Sequence, residues 1–300
     1  MDTESGREPR TIVVTGSASG MGAATAAALR AAGDRVVGVD LREGDVVADL
    51  STDRGRRDAM TAVLDLAGGR LDGAVCAAGL GPVTGRERLI AEVNYRGVTD
   101  LLTGWRAALA RGDRSKVVVI GSNSATTTPL VPRRAVRALL RDDLDTALAQ
   151  LARPRRLAAA RTYAASKVAV TRWAREQSVS PGWAGSGIRL NVLAPGAVMT
   201  PLLAEQLAGP DGSRVRAFPI PIGGYGDPEL IAAWVQFLLS PAADFVVGGF
   251  IVVDGGSDAW FRADDWPRPV PLRALPRFLR RMYGRRQPTA PTHGIGSPGN

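Results

Sequence analysis

Between Thr11 and Ala32 the chain reads TIVVTGSASGMGAATAAALRAA. A β-branched run enters Gly16-Ser17-Ala18-Ser19-Gly20-Met21-Gly22, and an Ala-rich stretch follows at once. β-branched residues favour a strand and alanine favours a helix, so the segment predicts strand, tight turn and helix in immediate succession. Glycines let backbone approach a bound group closely. The helix start offers unpaired N–H groups and the positive end of its dipole, which together suit a phosphate. The next β-branched run, Arg35 to Val39, ends in Asp40. That carboxylate lies about 20 residues beyond the glycines, where an acid can accept from a ribose 2′-OH and repel a 2′-phosphate. The expectation is a dinucleotide cradle built from Gly16, Ser19, Gly20, Met21 and Gly22, with Asp40 favouring NAD over NADP. Arg42, two places on, is a cation that pulls the other way.

The rest of the chain alternates in the same manner. Strands are expected near 11–15, 35–40, 45–48, 72–77, 116–121, 188–193 and 250–253, and helices near 20–32, 53–67, 87–110, 161–180 and 228–239. Asp227-Pro228-Glu229 reads as a helix start, with Asp as cap and Pro in the first turn. Such alternation predicts an α/β fold: a doubly wound, Rossmann-type, mostly parallel sheet of about seven strands with helices on both faces. Leu41 to Gly44 is too short for a crossover helix, an irregularity within that scheme. One catalytic domain is expected over residues 10–257, with an N-terminal tail at 1–9 and a basic, Pro-rich tail at 258–300. A helix-like insertion falls at 127–160. A lid loop falls at 201–226, with Leu202, Leu203, Leu207, Phe218, Ile220 and Ile222 as its apolar content and Gly223, Gly224 and Gly226 as hinges.

Only two of the 38 basic residues are lysines, Lys116 and Lys167; every other is arginine. Lys167 stands four residues after Tyr163, on one helical face. An ammonium is a compact point charge that a planar guanidinium cannot replace. Placed beside a phenol it favours phenolate and draws the pKa from about 10 toward neutrality, which makes a general acid/base. The sole histidine, His293, lies in the C-terminal tail, which argues against Ser-His-Asp chemistry and against a metal site in the core. The lone Cys76 excludes an internal disulfide and reads as a small buried side chain at a strand end.

Taken in order, these residues resemble the short-chain dehydrogenase/reductase family over about residues 10–257. Thr15-Gly16-x-x-x-Gly20-x-Gly22 matches the family's cofactor motif. Asp49, before Leu50, matches the acid that contacts adenine, and Cys76-Ala77-Ala78-Gly79 stands where the family usually has Asn-Asn-Ala-Gly. Asn94, Ser122, Tyr163 and Lys167 match the catalytic residues. Pro195-Gly196-x-Val198-x-Thr200 matches the segment that holds the nicotinamide carboxamide, and Asp254-Gly255-Gly256 the turn after the last strand. The interval of 41 residues from Ser122 to Tyr163 is much wider than in most members, so Ser122 is placed by the strand ending at Ile120, with Ser124 as the alternative. The stretches VVGVDLREGDVVADLS, CAAGLGP and RLNVLAPGAVMTPLL, with the wide interval, bring the chain nearest to the family's bacterial hydroxysteroid dehydrogenase/carbonyl reductase members. The resemblance implies an NAD-dependent enzyme that interconverts a secondary alcohol and a ketone on an apolar substrate, possibly a 3-hydroxysteroid or other carbonyl compound. An aryl or allylic alcohol is the alternative substrate. A catalytically silent NAD-binding regulatory or structural protein is the alternative of another class. The resemblance also implies a homo-oligomer, with a dimer favoured.

The net charge of +9 sits in two places: +4 in residues 127–160 and +5 in residues 258–300. No aromatic–basic interleaving or reading motif accompanies it, so an Arg-rich solvated surface is expected and no nucleic-acid partner. In the tail, Phe278, Leu279, Met282 and Tyr283 can share a face opposite Arg277, Arg280, Arg281 and Arg285. A short amphipathic turn of this kind suits contact with an anionic membrane surface less well than packing near the substrate pocket or remaining free. Residues 287–300 are rich in Pro, Gly, Ser and Thr and are expected to be disordered. No run of 18 apolar residues occurs and Met1 to Arg10 is polar, which gives the expectation of a cytoplasmic protein.

Overall fold

Seven parallel strands form one sheet in the order β3-β2-β1-β4-β5-β6-β7 in this computed structural model, which describes residues 9–209, 212–265 and 269–283. The strands are β1 (Thr11–Thr15), β2 (Arg35–Asp40), β3 (Val46–Val47), β4 (Gly73–Cys76), β5 (Lys116–Ile120), β6 (Arg189–Pro195) and β7 (Phe250–Val253). The order reverses between β1 and β4, the point at which sheets of this kind form a crevice beyond the carboxyl ends of their strands. Strand residues alternate between two cores, as the two-residue period demands. Val13 joins the layer that includes Trp105, Leu101 and Leu102 of α4 (Gly97–Leu109) and Ala165 and Ala169 of α8 (Ala158–Gln177). Ile12 and Val14 join Ala26 and Leu29 of α1 (Gly20–Ala31) and Ile231, Val235 and Leu238 of α11 (Pro228–Leu239).

Most expected elements appear within a few residues of their expected bounds, and three departures have physical causes. The β2–β3 link, as its length required, contains no helix. It doubles back over β2, where Gly38 N–H donates to Asp45 Oδ2 at 2.7 Å and Gly44 presses on the Gly38 backbone. β3 then adds only two residues to the sheet edge. The helix expected at 87–110 is two helices, α3 (Glu87–Ala91) and α4, joined by a π-turn at Glu92–Arg96. The segment expected as a lid loop begins as α9 (Pro201–Ala208) and α10 (Gly212–Arg216), because Thr200 caps α9 by accepting from Leu203 N–H at 3.3 Å. The tail carries α12 (Ser257–Arg262) and α13 (Leu275–Tyr283). Pro276 sits in the first turn of α13, where its missing N–H costs nothing. Arg285 and residues 287–300 lie outside the described residues, as do residues 1–8.

The insertion is a helical hairpin, α6 (Arg133–Leu139) and α7 (Leu144–Leu151). Val136, Leu139, Leu144 and Leu151 are buried in the same core as α8. Its acids tie it down. Arg96 of the π-turn donates to Asp142 at 2.6 Å, and Arg88 of α3 pairs with Asp145. Beneath it Arg56 of α2 (Asp53–Leu66) is fully buried, bridging Glu92 at 3.2 Å and Asp100 at 2.8 Å and also pairing with Asp53.

Candidate active site

Three elements deliver the polar residues to the crevice. β5 ends at Ile120, which leaves Ser122 just beyond the strand, and α8 crosses the same place with Tyr163 and Lys167 one turn apart. The Ser122 hydroxyl lies beside the Tyr163 phenol and favours its ionised form. It also accepts from Ser124 N–H at 3.1 Å, while the Ser124 Oγ is buried with no partner among the described residues. Of the two serines, Ser122 is therefore the one brought to the phenol. Lys167 Nζ donates to Ile120 O at 2.9 Å and stands 5.8 Å from the centre of the Tyr163 ring.

The electrostatics differ from the sequence expectation. Burial raises the Tyr163 phenol above its usual 10, and the opposing influence is the Ser122 hydroxyl rather than Lys167. Burial also lowers the Lys167 ammonium to about 8. Taking a charged group out of water favours its neutral form, for phenol and ammonium alike. The pair is thus a protonated phenol beside an ammonium poised to titrate near neutrality.

Asn94 reaches the site through the π-turn. It is completely buried, its Oδ1 accepts from Leu80 N–H at 2.8 Å, and its Nδ2 donates to Leu80 O at 2.9 Å. The amide therefore clamps the loop after β4. A Cβ built on Gly79 would lie 3.3 Å from Asn94 Oδ1 and 3.8 Å from Lys167 Nζ, so that loop runs directly beside the ammonium.

The glycine turn closes the other side. Gly16 has φ +72, and a Cβ on it would lie 2.7 Å from Ala78 N; a Cβ on Gly22 would strike Gly16 O. Ser19 is extended and its side chain makes no cap bond, so the first N–H groups of α1 have no side-chain acceptor there. Met21 packs on the core beneath. A Cβ on Gly20 would come 3.1 Å from Thr200 Cγ2, which sets the turn against the segment after β6. In that segment Pro195 ends β6, Gly196 fits against Asp254 where a Cβ would lie 2.7 Å away, and Val198 bridges to Gly226. Asp40 Oδ2 accepts from Ala18 N–H at 3.1 Å, at the mouth of the turn. Asp49 lies farther along the same rim, exposed, and accepts from Ser51 N–H at 2.9 Å and Ser51 Oγ at 2.6 Å. Cys76, at the end of β4, is buried and its thiol is pushed up to about 12, which makes it a packing residue.

Some positioning residues carried little sequence signal. Thr15 Oγ1 accepts from Ala78 N–H at 3.1 Å and fastens β1 to the β4 loop. Asn123 donates to Asp254 at 3.1 Å and joins the end of β5 to the turn after β7. Thr15 is the last residue of β1 and opens the glycine motif, whereas Asn123 stands three residues beyond β5 with no motif to mark it.

The segment 201–226, expected as a lid, is attached at both ends. α9 lays Leu202 and Gln206 on Gly81 of the β4 loop. The far leg is bound by Ser257 Oγ to Pro219 O at 2.7 Å, by Ile222 N–H to Gly255 O at 3.1 Å, and by the Phe218–Phe261 ring pair at 5.6 Å.

Known proteins share this arrangement. Residues 146–258 match a family model described as enoyl-(acyl carrier protein) reductase. The chain is 39% identical over 252 residues to the 3-alpha-hydroxysteroid dehydrogenase/carbonyl reductase of Comamonas testosteroni, covering 84% of this chain and 97% of that protein. The chain belongs to the short-chain dehydrogenase/reductase family. It is an oxidoreductase of that family. A solved structure of the 3-alpha-hydroxysteroid dehydrogenase from Pseudomonas sp. B-0831, complexed with NADH, superposes with a TM-score of 0.79 at 44% identity, covering 85% of this chain and all of that one. The cis-4-hydroxycyclohexanecarboxylate dehydrogenase of Sinomonas cyclohexanicum is 32% identical over 265 residues, covering 83% of this chain and 97% of its own. No helix among the described residues is long and apolar enough to cross a membrane.

Proposed function

We propose that this short-chain dehydrogenase/reductase interconverts a secondary alcohol and a ketone on an apolar substrate, with NAD as its cofactor and a 3-hydroxysteroid or similar cyclic compound as the substrate class. The observation that carries the reading is the Tyr163 phenol with the Ser122 hydroxyl beside it and Lys167 5.8 Å from its ring, next to a glycine turn too close-packed for side chains. The relatives above support the substrate class by the compounds in their names, and the Pseudomonas enzyme supports the cofactor.

The residues fit a dinucleotide. Gly16, Ser19, Gly20, Met21 and Gly22 would take its phosphates at the start of α1. Asp40 would accept from a ribose hydroxyl and exclude a 2′-phosphate, and Asp49 would meet the adenine. Ala78, Gly79, Pro195, Gly196, Val198 and Thr200 would line the nicotinamide end, with Lys167 on its ribose. When bound, the cofactor supplies or takes the hydride.

The chain's own residues handle the proton. In reduction, Tyr163 gives its phenolic proton to the carbonyl oxygen as the carbon is reduced; in oxidation it takes the proton of the alcohol. Ser122 holds the same oxygen by a hydrogen bond as charge develops there. Lys167, with its ammonium near 8, stabilises the phenolate left after proton donation. Asn94 fixes the Leu80 loop that shapes this end of the crevice and, by family likeness, leads the proton from Lys167 toward solvent.

The test is NADH formation measured across hydroxysteroids, aryl alcohols and terpene alcohols. Turnover of the hydroxysteroids above the other two classes is the expected result, and turnover confined to aryl alcohols would reject the substrate class. We also propose a homodimer. The α6–α7 hairpin covers one flank of α8 and α3 and so enters any contact made on that side. Light scattering giving a monomer mass at micromolar concentration would reject it.

A further inference from the structure

The insertion carries an arginine row that the catalytic chemistry leaves unused. Arg134, Arg137 and Arg141 are spaced three and four residues apart, so they share one face of α6 and its last turn. At 1.5 Å per residue the row spans about 10 Å. Facing it across the hairpin, Thr146 and Gln150 of α7 complete a groove of about 280 Å³ lined by these five residues. No carboxylate lines it.

The hairpin's acids are turned elsewhere. Asp142 holds Arg96 and Asp145 holds Arg88, both pointing at the catalytic body. Asp143 caps α7 by accepting from Thr146 N–H at 3.0 Å. Its carboxyl is held below the usual range first by Thr146 and only weakly by Arg141, which lies beyond ion-pair distance. None of Arg133, Arg134, Arg137 and Arg141 makes an ion pair among the described residues, and neither does Arg172 of α8. The cations crowd one another. The Arg172 guanidinium is lowered by burial and then by Arg133 and Arg137. Like charges held this close raise the energy of the free surface and create a field that a multivalent anion would relieve.

We propose that this groove binds a small oligophosphate, a molecule carrying two or more linked phosphate groups. Guanidinium forks match phosphate oxygens two at a time, and the Thr146 hydroxyl and Gln150 amide supply further donors. A water occupies about 30 Å³ of liquid, so the groove has room for a di- or triphosphate chain. The row is short and straight, and no aromatic side chain lines the groove on which a base could stack. Both points favour a small anion over a nucleic acid. The groove sits on the hairpin that Arg96 and Arg88 lock to the π-turn and α3.

The test is titration calorimetry of the full chain with sodium tripolyphosphate, with NADH present to fill the cradle. Wild-type protein is expected to bind one equivalent, and more weakly as salt rises from about 50 to 200 mM. Arg134→Gln/Arg137→Gln/Arg141→Gln should weaken binding at least tenfold, and Arg137→Gln alone about threefold. A charge-matched control, Arg277→Gln/Arg280→Gln/Arg281→Gln on α13, should stay within about twofold, and retained NADH binding would show that each variant is folded. The proposal is overturned by any of four results. These are no heat up to about 1 mM probe, loss of binding when NADH is added, equal losses in the two triple variants, or tighter binding of a DNA duplex through the same arginines.

Discussion

Replacing Lys167 with methionine should flatten a pH dependence of stability that the wild-type protein carries. The ammonium is buried, and its pKa falls from an ordinary 10.5 to about 8. An unfolded chain therefore keeps a proton that the folded chain has lost between those values. Wherever the unfolded state binds more protons, stability rises with pH, here at up to about 1.4 kcal/mol per pH unit. The whole interval corresponds to roughly 3 kcal/mol, absent below pH 8 and gained as pH climbs through the window. Lys167→Met removes the titration. It also strips Ile120 O of its donor, at about 1–3 kcal/mol, and that loss does not depend on pH. Lys116 is lowered in the same direction but is present in both proteins, so it cancels in the difference. Tyr163 and Tyr95 are both raised, so the stability linked to their neutral phenols is lost only as pH rises beyond about 10, which sets the upper edge of the useful range. Urea unfolding followed by tryptophan fluorescence at constant ionic strength, from pH 6 to 10, gives the two profiles. Wild type should gain stability relative to the variant by roughly 2–3 kcal/mol between pH 8 and 10. Parallel profiles across that range would refute the buried, depressed ammonium.

Three further substitutions test other parts of the site. Tyr163→Phe keeps the ring and removes the proton-carrying oxygen, so turnover should fall about 10²–10⁴-fold while NADH fluorescence titration still shows binding; near-normal turnover would dismiss the acid/base role. Asp40→Ala should narrow the ratio of kcat/KM for NAD over NADP, and a wild-type enzyme that prefers NADP would show that Asp40 does not select the cofactor. Gly22→Ala would drive a methyl into Gly16 O, a backbone atom that cannot swing aside, so NADH affinity should drop by tenfold or more, equivalent to about 1.4 kcal/mol; unchanged affinity would mean that α1 shifts freely.

How much of this was readable beforehand differs from place to place. The strand–turn–helix at Thr11–Ala31 and the Tyr163–Lys167 spacing were legible because each depends on local periodicity and residue type. The π-turn was not, since Glu92–Arg96 has the composition of ordinary helix and its extra residue shows only in the hydrogen bonding. The hairpin's helical content was legible over Ala135–Leu151, but not its break, which occurs where Asp142 takes φ +61 to end α6. The phenol's direction of shift was misjudged for a reason of the same kind. A charge four residues away is visible in sequence, whereas the desolvation that outweighs it depends on everything packed around the site. The β2–β3 link was recognisably too short for a helix, yet its return path rests on Asp45 reaching back to Gly38, a side chain that carries no local signature.

The π-turn also bears on which changes in chain length the protein can accept. The wide turn holds one residue more than an α-turn over the same arc, so it absorbs a step of about 100° around the helix axis. Trp105, Leu101 and Leu102 face the sheet with that step absorbed, while Asn94 is turned inward at the turn itself. If the turn tightened to an α-turn with no residue lost, the downstream face would rotate and present Thr103 and Arg106 to the core. Deleting one residue from Glu92–Arg96 would instead remove the surplus and leave that face where it is. The core therefore tolerates the loss of the surplus residue, and what the wide turn secures is the inward placement of Asn94.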